Sequence, residues 1–183
     1  MTDSLNDGFF EETDAIQVTT PAANVAQITI QSKPLGVLRH SVKRALMATL
    51  RELESNPEIR CVLLTGVGNS FSVGSDIHTF SPEPGWLLEN DYWESTLNQM
   101  IEDARFPVIA VCNGFSFGGG AVLSLACDFR IAADTAKFGF PEVKVGAFAS
   151  GSGTQRLPRL VGRGRALDLL LTGRTVEDRK STR

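Results

Sequence analysis

Glycine-rich turns carry most of the residue patterns from which this chain could build a site. Gly114-Phe115-Ser116-Phe117-Gly118 fits G-x-S-x-G, the pattern that places a nucleophilic serine on a sharp strand-to-helix turn. Such a serine needs a histidine later in the chain to take its proton, and both histidines, His40 and His78, precede Ser116. Gly66-Val67-Gly68 and Gly162-Arg163-Gly164 lack the third glycine of a dinucleotide fingerprint, and no Gly-Lys-Ser/Thr phosphate loop occurs. Gly118-Gly119-Gly120 is different, because it opens an apolar segment of helical character. Backbone N–H groups at a helix N-terminus have no intrahelical partner, and glycine lets a ligand oxygen approach them. The same glycines would equally serve close strand–helix packing, and the triplet alone leaves both readings open.

The surrounding elements follow from hydrophobic periodicity. Ile16 and Val18, then Val25–Ile30, read as strands about the turn-prone Pro21–Asn24. Val42, Ala45, Leu46, Thr49, Leu50 and Leu53 mark one helical face, with Ser41 the expected N-cap and Asn56-Pro57 the stop. Cys61–Thr65 and Val108–Cys112 read as buried strands, separated by a helix whose face carries Trp93, Leu97, Met100, Ile101 and Ala104. A helix over Gly119–Cys127, a strand at Phe129–Ala132 and a last helix within Leu157–Leu171 complete the pattern. Strands alternating with helices predict an α/β domain, with no internal repeat visible in the sequence. The expected division is a polar lead-in over 1–14, a core over 15–172 and a polar tail over 173–183.

Composition narrows the classes. A hydrophobic fraction of 42% supports a packed core, which excludes wholesale disorder. The net charge of −3 gives no general basic field for nucleic acid. No apolar run is long enough to span a bilayer, and the first residues lack the pattern of a signal peptide. Cys61, Cys112 and Cys127 are odd in number and lie in or beside apolar runs, so they read as reduced core thiols of a cytoplasmic protein.

Residues 62–77 (VLLTGVGNSFSVGSDI), 107–128 (PVIAVCNGFSFGGGAVLSLACD) and 138–162 (FGFPEVKVGAFASGSGTQRLPRLVG) together resemble the enoyl-CoA hydratase/isomerase, or crotonase, family. The resemblance runs from about Ile16 to Thr172. It implies a crotonase-like spiral of ββα units and an acyl-CoA substrate processed through an enolate. It also implies an oxyanion hole made by the backbone N–H groups of Ser75 and Gly119, with Ser75, Asp76, Ile77 and His78 lining the path of the thioester. Asp76 is expected to brace that loop and His78 to be a loop or surface residue. The CoA belongs to the substrate, and no metal or other cofactor is implied.

Hydratases of the family hold water between two glutamates. Here Pro141-Glu142 supplies the second, whereas Val122 stands at the first position. A valine can neither orient water nor exchange a proton. The resemblance therefore points to double-bond isomerisation by a single base, Glu142, with an atypical hydratase or a non-catalytic acyl-CoA-binding relative as alternatives. Ser150 stands where some relatives carry an aspartate, which disfavours dienoyl-CoA isomerisation and hydroxyacyl-CoA hydrolysis. Residues 80–98, with Trp86, Tyr92 and Trp93, are expected to cover the acyl pocket. Arg156, Arg159, Arg163 and Arg165 read as a solvated basic cluster. Family members continue past Leu171-Thr172-Gly173 into helices that build trimers or hexamers. The short polar end predicts a core whose C-terminal trimerisation segment is truncated, leaving apolar surface exposed.

Overall fold

The computed structural model describes residues 15–81 and 83–177, and the expected lead-in over 1–14 and the end of the tail lie outside them. Strands β1 (Ile16–Ala22) and β2 (Val25–Ile30) form an antiparallel hairpin. Pro21 belongs to β1 rather than to the turn, which an edge strand tolerates because one row of its N–H groups has no ladder partner. Helix α1 (His40–Ser55) buries Val42, Lys43, Leu46, Met47 and Leu50. It opens at His40, so Ser41 lies in its first turn instead of capping it.

Three strand–strand–helix turns follow. They comprise β3 (Cys61–Gly66), β4 (Ser70–Ser72) and α2 (Pro84–Glu102); β5 (Val108–Cys112), β6 (Phe115–Phe117) and α3 (Gly119–Ala126); and β7 (Phe129–Ala132), β8 (Lys137–Gly139) and α4 (Gly153–Val161). The first strand of each turn joins one sheet, ordered β1-β2-β3-β5-β7, in which β2, β3, β5 and β7 are parallel. The second joins another, ordered β4-β6-β8-β9, where β9 (Thr175–Glu177) closes antiparallel on β8. This is the ββα spiral that the resemblance implied. The repeat escapes sequence inspection because its shared property is a backbone path, and β4, β6 and β8 are only three residues each.

Val62, Leu64, Val108 and Ala110 pack under Leu46, Leu50, Leu97 and Ile101 in the main core. Residues of β3 alternate between buried and half-buried, so that strand is not enclosed equally on both faces as its continuous apolar run suggested. Cys112 and Cys127 are buried thiols, but Cys61 is half-buried. The expected last helix is two, α4 and α5 (Arg163–Thr172), separated at Gly162, whose φ of 80° breaks the helical path.

One close approach holds the second strands against the helix that follows. A Cβ on Gly120 would lie 2.2 Å from the Ser72 carbonyl oxygen, a backbone atom that cannot swing aside. Gly120 therefore serves packing, one of the two roles the triplet left open. Gly120→Ala should lower stability by about 3 kcal/mol or more by overpacking, measured as a reduced midpoint in urea unfolding.

Candidate active site

Two of the three turns of the spiral bring their irregular loops to the start of α3. Gly74, with φ of 88°, passes so close that a Cβ on it would stand 2.6 Å from the Gly119 nitrogen. The Ser75 nitrogen, in turn, lies 3.6 Å from the position a Cβ on Gly119 would occupy. Gly119 is the first residue of α3, so its N–H has no intrahelical acceptor. Ser75 and Gly119, expected as a pair from residues far apart in sequence, are neighbours in space.

Glu142 approaches the same turn. It lies in a short 3-10 turn, Pro141–Val145, and its Oε1 is 3.5 Å from the Cβ position of Gly118. Its Oε2 is buried without a hydrogen-bond partner among the described residues. Burial pushes the Glu142 carboxyl above its ordinary range, its own backbone N–H pulls it down in part, and the negative charge of Glu94 adds to the rise.

Asp76, Ile77 and His78 continue the Ser75 loop. The Asp76 carboxylate accepts the His78 N–H at 3.0 Å and stands 3.6 Å from the Arg39 guanidinium, so it braces the turn. Ile77 and His78 are exposed. Within the expected pocket cover, Phe80 and Trp86 pack their rings 4.7 Å apart.

The sequence reading missed a buried charged group beside these residues. Glu94 of α2 and Lys43 of α1 form an ion pair at 3.1 Å, with side chains 7% and 1% exposed. Glu94 Oε1 also accepts from the Ser75 hydroxyl and from Asn90 at 3.3 Å, while Oε2 accepts from the Ser150 hydroxyl at 2.5 Å. Lys43 donates further to Ser75 Oγ at 3.0 Å and Asn90 Oδ1 at 2.8 Å. Burial alone would raise the Glu94 carboxyl, but the Lys43 charge and the donated hydrogen bonds outweigh it and hold the group below its ordinary range. Burial lowers the Lys43 ammonium, an effect that Glu94 offsets only in part. Glu94 Oε1 lies 3.4 Å from the Cβ position of Gly119. Two carboxylates thus flank consecutive glycines, Glu142 at Gly118 and Glu94 at Gly119. A signal for the missed pair was present: Lys43 shares the buried stripe of Leu46, Met47 and Leu50, and Glu94 that of Leu97, Asn98 and Ile101.

Other candidates are placed elsewhere. Ser116 is fully buried in β6, out of reach of any substrate. Val122 is 1% exposed in a second core cluster, close enough that a Cβ on Gly153 would meet its Cγ2 at 2.6 Å. Arg156 is not a solvated surface residue. It is buried, donates through Nε and Nη2 to the Glu102 carboxylate at 2.7 Å each, and donates to the Gly151 carbonyl at 2.7 Å. Arg159, Arg163 and Arg165 are exposed.

Comparison with known proteins identifies the family. Residues 20–181 match the enoyl-CoA hydratase/isomerase family. YngF of Bacillus subtilis, assigned to the enoyl-CoA hydratase/isomerases, is 37% identical over 166 residues, covering 89% of this chain and 64% of that protein. A crystal structure of enoyl-CoA hydratase from Bacillus anthracis superposes with a TM-score of 0.88 at 34% identity, covering 92% of this chain and 66% of the other. DspI of Pseudomonas aeruginosa gives a TM-score of 0.89 at 30% identity, covering 96% and 67%. The chain belongs to the enoyl-CoA hydratase/isomerase family. It spans just under two thirds of the length of YngF. Among the described residues, no helix is long and apolar enough to cross a membrane.

The ion pair can be tested by removing one charge or both. Lys43→Met leaves Glu94 buried without its counter-charge and should cost about 3–5 kcal/mol. Lys43→Met with Glu94→Leu should recover most of that loss in chemical denaturation, because no unpaired charge remains.

Proposed function

We propose that this chain acts on enoyl-CoA thioesters, with the Ser75 and Gly119 N–H groups receiving the charge that develops on the thioester oxygen and Glu142 carrying the proton. The observation that carries this reading is the placement of Glu142. A half-buried carboxyl, one of whose oxygens has no hydrogen-bond partner among the described residues, stands at the same glycine turn as two neighbouring backbone nitrogens. Preorganised N–H donors stabilise an enolate oxygen without reorganising during reaction. A carboxyl raised by burial is better suited than an ordinary one both to accept and to return a proton. Ser75, Asp76, Ile77 and His78 would border the thioester and its CoA arm, and CoA enters only as part of the substrate.

Hydration of a 2-enoyl-CoA is the reading that the family relatives favour. Glu142 takes a proton from water as the water oxygen bonds to C3, the π electrons move onto the thioester as an enolate, and Glu142 returns the proton to C2. Isomerisation by Glu142 as the single base is the second reading, supported by Val122. In it Glu142 removes a proton from C2 of a 3-enoyl-CoA and returns it to C4. Glu94 is a second carboxylate near Gly119, but its oxygens are occupied by Lys43, Ser75, Asn90 and Ser150, so it does not replace the glutamate that Val122 lacks.

Parallel assays on 2-enoyl-CoA and 3-enoyl-CoA thioesters separate the two readings: product hydroxyacyl-CoA supports hydration, and conjugated enoyl-CoA formed from the 3-isomer supports isomerisation. Glu142→Gln should reduce kcat on the active substrate by about 100-fold or more, and wild-type turnover in that variant would overturn the assignment. The working form of Glu142 is the ionised one and burial raises its pKa, so kcat should fall as pH drops through a value above that of an ordinary carboxyl. A pH–rate profile reads this directly.

A further inference from the structure

The two carboxylates at the glycine turn are built for different tasks. Glu142 has an oxygen with no hydrogen-bond partner among the described residues and sits on a short turn. Glu94 is paired at every side: Lys43, Ser75 and Asn90 occupy Oε1, and Ser150 occupies Oε2. A carboxylate so surrounded is a poor proton carrier and a good anchor, since releasing any partner strands a buried polar group. Its donors come from α1, from the Ser75 loop, from α2 itself and from the loop after the Glu142 turn.

Ser75 is the one member of this group whose backbone faces Gly119. Its hydroxyl donates to Glu94 and accepts from Lys43, so both charges of the buried pair grip a single loop side chain. The loop is held on either side of Ser75, by the Leu38 N–H donating to the Gly74 carbonyl at 2.8 Å and by Arg39 beside Asp76, and at Ser75 the side-chain ties run to Lys43 and Glu94. An oxyanion hole is effective only when its donors are already in place. Alanine at position 75 would keep the N–H but lose both bonds to the helices.

We propose that Glu94 and Lys43 are positioning residues, which through the Ser75 hydroxyl hold the Ser75 N–H in register with the Gly119 N–H to form the oxyanion hole. Neutralisation by Lys43 is part of the device. A bare carboxylate 3.4 Å from the Cβ position of Gly119 would repel a developing enolate, whereas a hydrogen-bonded ion pair does so far less. The proposal rests on the acyl-CoA reading above and deepens it, because it assigns the part of the site that sets the donor geometry.

Ser75→Ala is the decisive variant, since it cuts the tether while leaving the Lys43–Glu94 pair directly bonded. The probe is acetoacetyl-CoA, a β-ketoacyl thioester whose enolate absorbs in the ultraviolet. Its bound enolate fraction at fixed pH reports oxyanion stabilisation independently of turnover. Wild type should draw the bound thioester toward the enolate. Ser75→Ala should weaken that preference by about 10-fold to 100-fold, with a matching loss in kcat, a KM within about twofold and a thermal midpoint lowered by only a few degrees for the lost hydrogen bonds. Ser75→Thr, which retains the hydroxyl, should recover part of the loss. Equal enolate fraction and kcat in wild type and Ser75→Ala would overturn the positioning role and leave the acyl-CoA reading standing. If wild type neither turns over an enoyl-CoA nor enriches the enolate, the acyl-CoA reading falls, and the positioning role falls with it.

Discussion

A charged pair that has left water is the constraint around which this site is arranged. Lys43 and Glu94 are both buried, and the cost of removing two ions from solvent is several kcal/mol each unless geometry and further hydrogen bonds offset it. The offset here comes from Ser75, Asn90 and Ser150, which must stay where they are for the pair to remain tolerable. Helices α1 and α2, the Ser75 loop and the Ser150 loop are therefore tied to one carboxylate. An apolar replacement would pack these helices equally well, but it would not grip a loop hydroxyl. The polar choice is understandable if the grip matters.

The two carboxylates near Gly118 and Gly119 show how environment divides roles between like groups. Glu142 is desolvated with one oxygen unpartnered, which favours its neutral form, while Glu94 meets a cation and several donors, which favour its anion. Each affects the other, because the Glu94 charge raises Glu142 further. Environments that push two titratable groups apart are the usual basis for separating a proton carrier from a fixed charge.

The spiral makes this meeting possible. Stacked second strands bring the loops after β4, β6 and β8 to one place, and the approach of Gly74 to Gly119 leaves no room for side chains between them. The superposition on the Bacillus anthracis enoyl-CoA hydratase extends over 92% of this chain, so the strand and helix path is shared between the two.

Several features were legible in the residues themselves. Helical spacing located α1 because that helix buries one face, and burial writes a period into the sequence, while short apolar runs marked β2 and β5 and the glycine triplet marked the start of α3. The motifs around Ser75, Gly119 and Glu142 revealed the family because glycine turns and the Pro-Glu step have few substitutes. The three-residue strands were invisible, being too short to carry a period. The depth of Arg156 was hidden because its partner Glu102 is far away in sequence. Lys43 and Glu94 each lie on a buried helical stripe, but their pairing was hidden for the same reason. Neither residue type says that it is buried, and each becomes tolerable inside only through a partner on another helix. Sequence by itself determined the longer elements, the glycine turn and the Glu142 step, since these depend on local chemistry. Only tertiary structure decided which charges face each other across that turn, because pairing energy depends on distance in space and not on distance along the chain.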